Sequence, residues 1–505
     1  MHRLAIVLVL LALIAAGCSS SDPESSTSVA TTAATTSSTT AATTTMAPEP
    51  EDQRTSEGFG LAGPVAALGI GDEYFPELGN PGYDVAHYTL DLVFDPDQTR
   101  LAGVATIEAT ALQALPTFNL DFSTLTIDSI AVDGAPALFE TVNDDLIISP
   151  PTPPAPGETF VVDIEYGGMP GPARSGGVPF GIGWITSGTQ NYVVAEPDAA
   201  HSWFPANDHP LDKATFTFRI TVPDDVVAAA NGTLTDQITD LGQTTWVWEM
   251  PAPMATYLAT VVIGDFDIVE DRAASADAGI PIRHVLPSGT TVADWPGLER
   301  QGEMVAFLEE LFGPYPFANY GIAIVDGFGA ALENQTLSLF DSNLAKSAFF
   351  EDVLIHELAH QWFGNSVSPG QWQDIWLNEG FASYAEWLWI ERESGRDTME
   401  QDIAAERTQF VGSGLNPPGR PAAFDLFGAA VYRVGAMTLH ALRLTVGDDV
   451  FFDILQTYVA EFTDGAAVTT DFIQVAEAVS GTALEELFDK WLYDRAVPEF
   501  PAAGS

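Results

Sequence analysis

His356 and His360 stand four residues apart in the run Val353-Leu354-Ile355-His356-Glu357-Leu358-Ala359-His360, which has no Gly or Pro. On a helix this spacing sends both imidazoles off one face, a turn apart, as a two-point grip on a metal ion. Glu357 points to the side of the pair, where a carboxylate meets a metal-activated water without becoming a ligand; it is the candidate general base. A catalytic zinc usually takes three protein ligands and keeps a fourth position open. Glu379, beyond the intervening residues 361–378, is the candidate third.

These residues need elements to hold them. The intervening stretch leaves room for the first helix to end near Gly364 and Asn365, for a connection through Pro369 and Gly370, and for a second helix. Asn378 is the expected N-cap, which puts Glu379 in the first turn of a helix through Phe381, Tyr384, Trp387 and Leu388. Further upstream, Trp295 to Phe312 has helical spacing up to Gly313-Pro314, and Ile322–Asp326 and Gln335–Phe340 read as strands around Gly-Phe-Gly-Ala-Ala-Leu-Glu-Asn. Ala331, Leu332, Glu333 and Asn334 fall in the stretch between these runs; an exposed strand edge there would pair with extended peptide through its backbone.

The region 66–270 has a different rhythm. His87–Asp95, Gly103–Leu112, Leu125–Gly134, Thr159–Tyr166 and Ala214–Val222 alternate with period two between turns rich in Asp, Gly and Pro. That pattern predicts an antiparallel β-sandwich. The remainder, 271–505, is the expected catalytic domain. Apart from His356 and His360, the histidines at 2, 87, 201, 209, 284 and 440 are isolated in sequence and read as leader, surface or packed residues.

Charge and export bound the partners. The chain has 505 residues, with 18 basic and 70 acidic side chains and a net charge of −52. Such a surface repels nucleic acid and anionic membrane, and both are set aside as partners. Arg3, the apolar run Leu4–Ala16 and Ala15-Ala16-Gly17-Cys18 form an export signal. Cys18 is the single cysteine, so no disulfide framework exists. Its place after small residues predicts a lipoprotein-type signal over 1–18, lipidation of Cys18 and residence on the outer face of the cell membrane; simple secretion is the alternative. Residues 19–65, rich in Ser, Thr and Ala, read as a disordered tether.

The wording His356-Glu357-Leu358-Ala359-His360-Gln361-Trp362-Phe363-Gly364-Asn365, followed by Leu377-Asn378-Glu379-Gly380-Phe381, resembles the aminopeptidase N (membrane alanyl aminopeptidase) family of gluzincin zinc metallopeptidases. The resemblance spans about residues 84–498. It implies a multidomain α+β protein, with the N-terminal antiparallel sandwich followed by a thermolysin-like, mainly helical zinc peptidase domain bearing a small edge sheet. It also implies one Zn2+ per chain on His356, His360 and Glu379. Ala330-Ala331-Leu332-Glu333-Asn334 stands where relatives usually have Gly-x-Met-Glu-Asn, with Ala for Gly and Leu for Met. Glu196-Pro197, Phe204-Pro205, Asp208-His209-Pro210 and Lys213-Ala214-Thr215-Phe216 match a family segment that reaches the active site, with Val194 where relatives often have Gln.

By this resemblance Glu196 and Glu333 bind the substrate's amino group, Ala331 and Asn334 belong to the substrate-binding segment, and Tyr432, of Tyr432-x-x-Gly435-Ala436, steadies the oxyanion. A protonated α-amine held by carboxylates at a fixed distance from the metal makes the cut count from the chain end. The expected activity is a zinc aminopeptidase acting on peptides with a free N-terminus. A thermolysin-type endopeptidase and an inert surface binding protein on a peptidase scaffold are the alternatives, and epoxide hydrolysis occurs in one branch of the family. Larger relatives continue into a further C-terminal helical domain, for which this sequence leaves no residues; a more open site is expected.

Overall fold

The computed structural model describes residues 69–502 apart from 176, 179 and 180. Cys18 and the tract 19–65 lie outside the described residues. Alternation of apolar and polar side chains builds an eight-stranded sheet. Its order is Thr233–Asp240, Gln243–Met254, Ala214–Pro223, Tyr83–Asp95, Arg100–Ala111, Thr159–Gly168, Thr126–Val132 and Ala135–Pro136. In Ala214–Pro223 every second residue is buried, from Ala214 through Phe216, Phe218 and Ile220 to Val222. The pairing departs from strict antiparallel at one place, where Tyr83–Asp95 and Ala214–Pro223 run parallel.

A five-stranded sheet, in the order Val227–Ala230, Val261–Gly264, Gln190–Val194, Gly181–Ser187 and Pro172–Arg174, faces the first, and the Phe94 and Trp184 rings meet at 5.1 Å between them. All five residues of Gln190–Val194 are buried. The C-terminal half covers this strand's other side, where the Tyr192 hydroxyl donates to the Asp326 carbonyl at 2.9 Å.

The second half opens with a mixed sheet in the order Phe266–Glu270, Arg283–Pro287, Ile322–Val325, Ser338–Asp341 and Ala331–Leu332, so Ala331–Leu332 is an edge. The expected helix over Trp295–Phe312 divides at Pro296-Gly297, leaving a 3-10 turn at Leu298–Arg300 and a helix at Gln301–Phe312. The helix carrying the histidine pair spans Phe350–Ala359 and stops short of Gly364. Past His360 the backbone widens, with Asn365, Ser366 and Val367 N–H groups reaching back five residues to His360, Gln361 and Trp362 carbonyls.

The next helix, Trp376–Ser394, begins two residues before Asn378. Asn378 is therefore inside the first turn and is not the N-cap; it is fully buried, and its amide donates to the Tyr257 hydroxyl at 3.4 Å. This helix crosses Ala429–Val446 at two glycines. A Cβ on Gly380 would stand 3.0 Å from Gly435, and one on Gly435 would stand 3.1 Å from Gly380. The close crossing sets Glu379 beside Tyr432. Among the described residues no helix is long and apolar enough to cross a membrane.

Candidate metal centre and active site

His356, His360 and Glu379 each offer a ligand atom, all within 4.8 Å of one another. Glu379 Oε2 is 3.2 Å from His356 Nε2 and 3.5 Å from His360 Nε2. A tetrahedral ion bound at about 2.1 Å needs donor atoms about 3.4 Å apart, so the three residues fit zinc as they stand. The other ring nitrogens are committed elsewhere. His356 Nδ1 faces Glu386 Oε1 at 2.9 Å and His360 Nδ1 faces the Phe363 carbonyl at 3.1 Å. Donation from both Nδ1–H groups leaves both Nε2 lone pairs free for a metal. Two carboxylate-rich triplets, Glu333–Glu357–His360 and Glu196–Glu333–Glu379, also cluster, but two imidazoles with one carboxylate are the donor set zinc prefers.

The cluster draws positive charge. Burial alone would favour neutral His356, yet Glu379 and Glu386 outweigh it and push the imidazole up to about 10. Burial would likewise raise Glu379, but His360 and His356 hold it down at about 2. A divalent ion displaces that proton and takes over its electrostatic role. Burial pushes Glu357 up to about 8, against the pull of both histidines and with Glu333 and Glu379 adding to it. An ion on the three ligands would lower it again.

Around them lies a cavity of about 60 Å³, room for an ion and a few water-sized groups, lined also by Glu196, Ala331, Glu333, Asp352 and Tyr432. The Tyr432 ring stacks on His356, with centroids 5.8 Å apart. Burial, then Glu379, keeps its phenol well above the usual range, so it remains a proton-bearing donor. Glu196 Oε1 and Glu333 Oε1 are buried with no hydrogen-bond partner among the described residues. Both carboxyls are pushed up, chiefly by burial, with Glu333 the leading charge acting on Glu196.

Asn334 is not brought to this cavity. Its amide N–H donates to the Leu258 carbonyl at 3.0 Å, tying the end of the edge strand to the sandwich.

Residues 85–258 match the peptidase M1 N-terminal domain and residues 297–491 the peptidase family M1 domain. The crystal structure of an M1 zinc metallopeptidase from Deinococcus radiodurans superposes with a TM-score of 0.79 at 32% identity, covering 86% of this chain and 100% of that one. The chain belongs to the peptidase M1 family. Aminopeptidase M1 of Arabidopsis thaliana is 31% identical over 324 residues, which are 60% of this chain and 36% of that protein. Aminopeptidase Ey of Gallus gallus is 29% identical over 357 residues, 62% of this chain and 36% of that protein. The chain thus spans just over a third of the length of these curated relatives.

Several residues of this M1 site escape sequence reasoning. Glu386 holds His356 and is itself held by Arg433 Nη1 at 2.8 Å; burial would raise its carboxyl, but Arg433 and His356 keep it below the usual range. The signal for Glu386 is its place seven residues after Glu379, two turns along one face. Gln361 and Asn365 amides donate to the Glu333 carbonyl at 3.1 and 2.7 Å, fixing the strand end from the metal-helix side. Thr336 adopts φ 65°, costly for a β-branched residue. It is held there by Gln361 Oε1 on its N–H and by the Gly232 N–H on its hydroxyl.

From the sandwich, the Lys213 ammonium donates to the carbonyls of Asn365 and Ser366 at 2.8 Å each and of Gly465 at 3.3 Å, pinning the turn that follows His360.

Proposed function

We propose that the protein is a zinc aminopeptidase that removes N-terminal residues from peptides. The observation that carries this reading is the pair of orphaned, buried carboxylate oxygens, on Glu196 and Glu333, beside a ready metal site. Leaving buried acceptors unpaired is costly, and a substrate ammonium satisfies both at once. An endopeptidase has no use for a cation trap at that place. In support, a mutant form of the Deinococcus radiodurans M1 metallopeptidase has been crystallised with a Tyr-Ser-Ala substrate.

His356, His360 and Glu379 would hold the zinc, which when bound supplies a Lewis acid for the scissile carbonyl and an acidified water. Glu357 takes the proton from the attacking water and passes it to the leaving amine. Tyr432 donates its phenolic proton to the developing oxyanion, a contribution of about 3 kcal/mol. Ala331, on the edge strand, pairs with the substrate backbone.

Aminoacyl fluorogenic substrates, assayed with and without chelator and beside their N-acetylated counterparts, test the reading. Chelator-sensitive release from free-amine substrates alone is expected. Equal cleavage of acetylated ones would select the thermolysin-type endopeptidase, and purified protein without zinc would favour the binding-protein reading.

The place of action is read from the sequence: export by the signal at 1–18 and anchoring through lipidated Cys18. Mass spectrometry of the mature N-terminus checks it, and cleavage anywhere but before Cys18 would overturn it.

A further inference from the structure

Asp352 lines the same cavity as the metal ligands and the amine-binding carboxylates, yet neither the metal site nor the amine site employs it. Asp352, His356 and His360 fall at i, i+4 and i+8, on one helix face, with successive residues about 6 Å apart along the axis. The order along this face is fixed at one end, where Glu333 Oε1 lies 4.0 Å from His360 Nδ1. Glu379 faces both histidines in the middle. Asp352 lies a turn beyond His356 at the opposite end, half-buried. Asp352 thus stands on the far side of the metal ligands from Glu333, the side open to a peptide whose amine rests on Glu196 and Glu333.

We propose that Asp352 is the acidic wall of the subsite for the residue after the scissile bond, and that it selects Lys or Arg there. This rests on the aminopeptidase reading. The charge around it agrees. Six carboxylates line the cavity, Glu196, Glu333, Asp352, Glu357, Glu379 and Glu386. Arg433, whose guanidinium feels Asp352, is bonded to Glu386 at 2.8 Å and faces Glu406 at 3.7 Å. A divalent ion and one substrate ammonium leave the walls acidic, so a second cationic group is drawn in and an acidic one repelled. The competing account is structural. Asp352 is in the first turn of its helix, where a carboxylate also offsets the macrodipole.

The two accounts separate in a tripeptide series, Leu-X-Ala with X as Arg, Lys, Leu or Glu, cleaved by the full-length zinc enzyme and followed by leucine release. Wild-type kcat/KM is expected to favour Arg and Lys over Leu by about fivefold, with Glu below Leu. Asp352→Asn should flatten that ratio, Asp352→Glu keep it and Asp352→Lys reverse it toward Glu. Because each ratio is taken within one enzyme, losses of folding or metal cancel, and a purely structural role lowers all four substrates together. Wild-type enzyme that cleaves the series with a flat ratio, or an unchanged ratio in Asp352→Asn, overturns the assignment of Asp352 alone. Wild-type enzyme that cleaves none of the series overturns the aminopeptidase reading and this inference with it.

Discussion

On one wall of the cavity Glu379 and Glu386 are each tied to a histidine, and Glu386 also to Arg433. On the other, Glu196 and Glu333 each keep a buried oxygen that meets no donor among the described residues. Burial acts on all four in the same direction, yet the first two carboxyls are held low and the second two are pushed up. The difference lies in who supplies the positive charge. The metal wall carries its own cations and is organised before any substrate arrives. The amine wall stays short of one charge, which on the proposed aminopeptidase reading a peptide N-terminus brings.

The largest effect should come from the metal wall. Glu357→Gln should keep zinc and lose about 10³-fold in turnover, whereas His360→Ala should lose both; metal analysis beside activity distinguishes them. On the opposite wall, Glu333→Gln should lower kcat/KM on free-amine substrates by about 10²-fold with metal content intact, since one charge-assisted bond disappears. An unchanged kcat/KM in Glu333→Gln would erase the contrast between the walls. Glu386→Gln should weaken zinc affinity by about tenfold in a chelator competition without altering the preference for a free amine, because it only orients His356.

The smallest effect tests whether paired carboxylates behave alike far from the metal. His201 Nδ1 is 2.7 Å from Asp208 in the sandwich; burial opposes its charge, but Asp208 outweighs that and pushes the imidazole up to about 9. A folded pKa above the unfolded value of about 6.5 means the pair stabilises fully below pH 6.5 and ceases to as pH rises through about 9. Nearby Asp121 is pushed up to about 7, chiefly by burial, which also favours the acid side. Across pH 6.5 to 9.5 the melting temperature of the Glu357→Gln chain should therefore fall more steeply, or rise less, than that of the Glu357→Gln/His201→Gln chain, by an amount equivalent to about 2 kcal/mol, whatever the opposing contribution of buried Lys213, lowered to about 7.

Local periodicity made much of this molecule legible. Strand alternation announced the sandwich, and the four-residue histidine spacing announced the metal helix, because both signals belong to neighbouring residues. What escaped depends on partners distant in sequence. Asn378 and Asn334 follow rules for caps and strand motifs, but Tyr257 and Leu258, brought in from the sandwich side, claim their amides instead. Glu386 carried a readable period, while Arg433 had none, since only the crossing at Gly380 and Gly435 brings it to Glu386. The parallel pairing of Tyr83–Asp95 with Ala214–Pro223 was equally silent, because strand direction leaves no trace in alternation.

Lys213 has a bearing on ancestry. Its one ammonium, buried against three peptide oxygens of the neighbouring half, makes the sandwich a stakeholder in the shape of the loop below the second histidine. A gene fragment encoding only the latter half would inherit every zinc ligand and still lack the peg that holds their supporting loop. Because the acceptors are main-chain oxygens, an exchanged latter half keeps its side of the joint, and the sandwich it joins must bring the lysine.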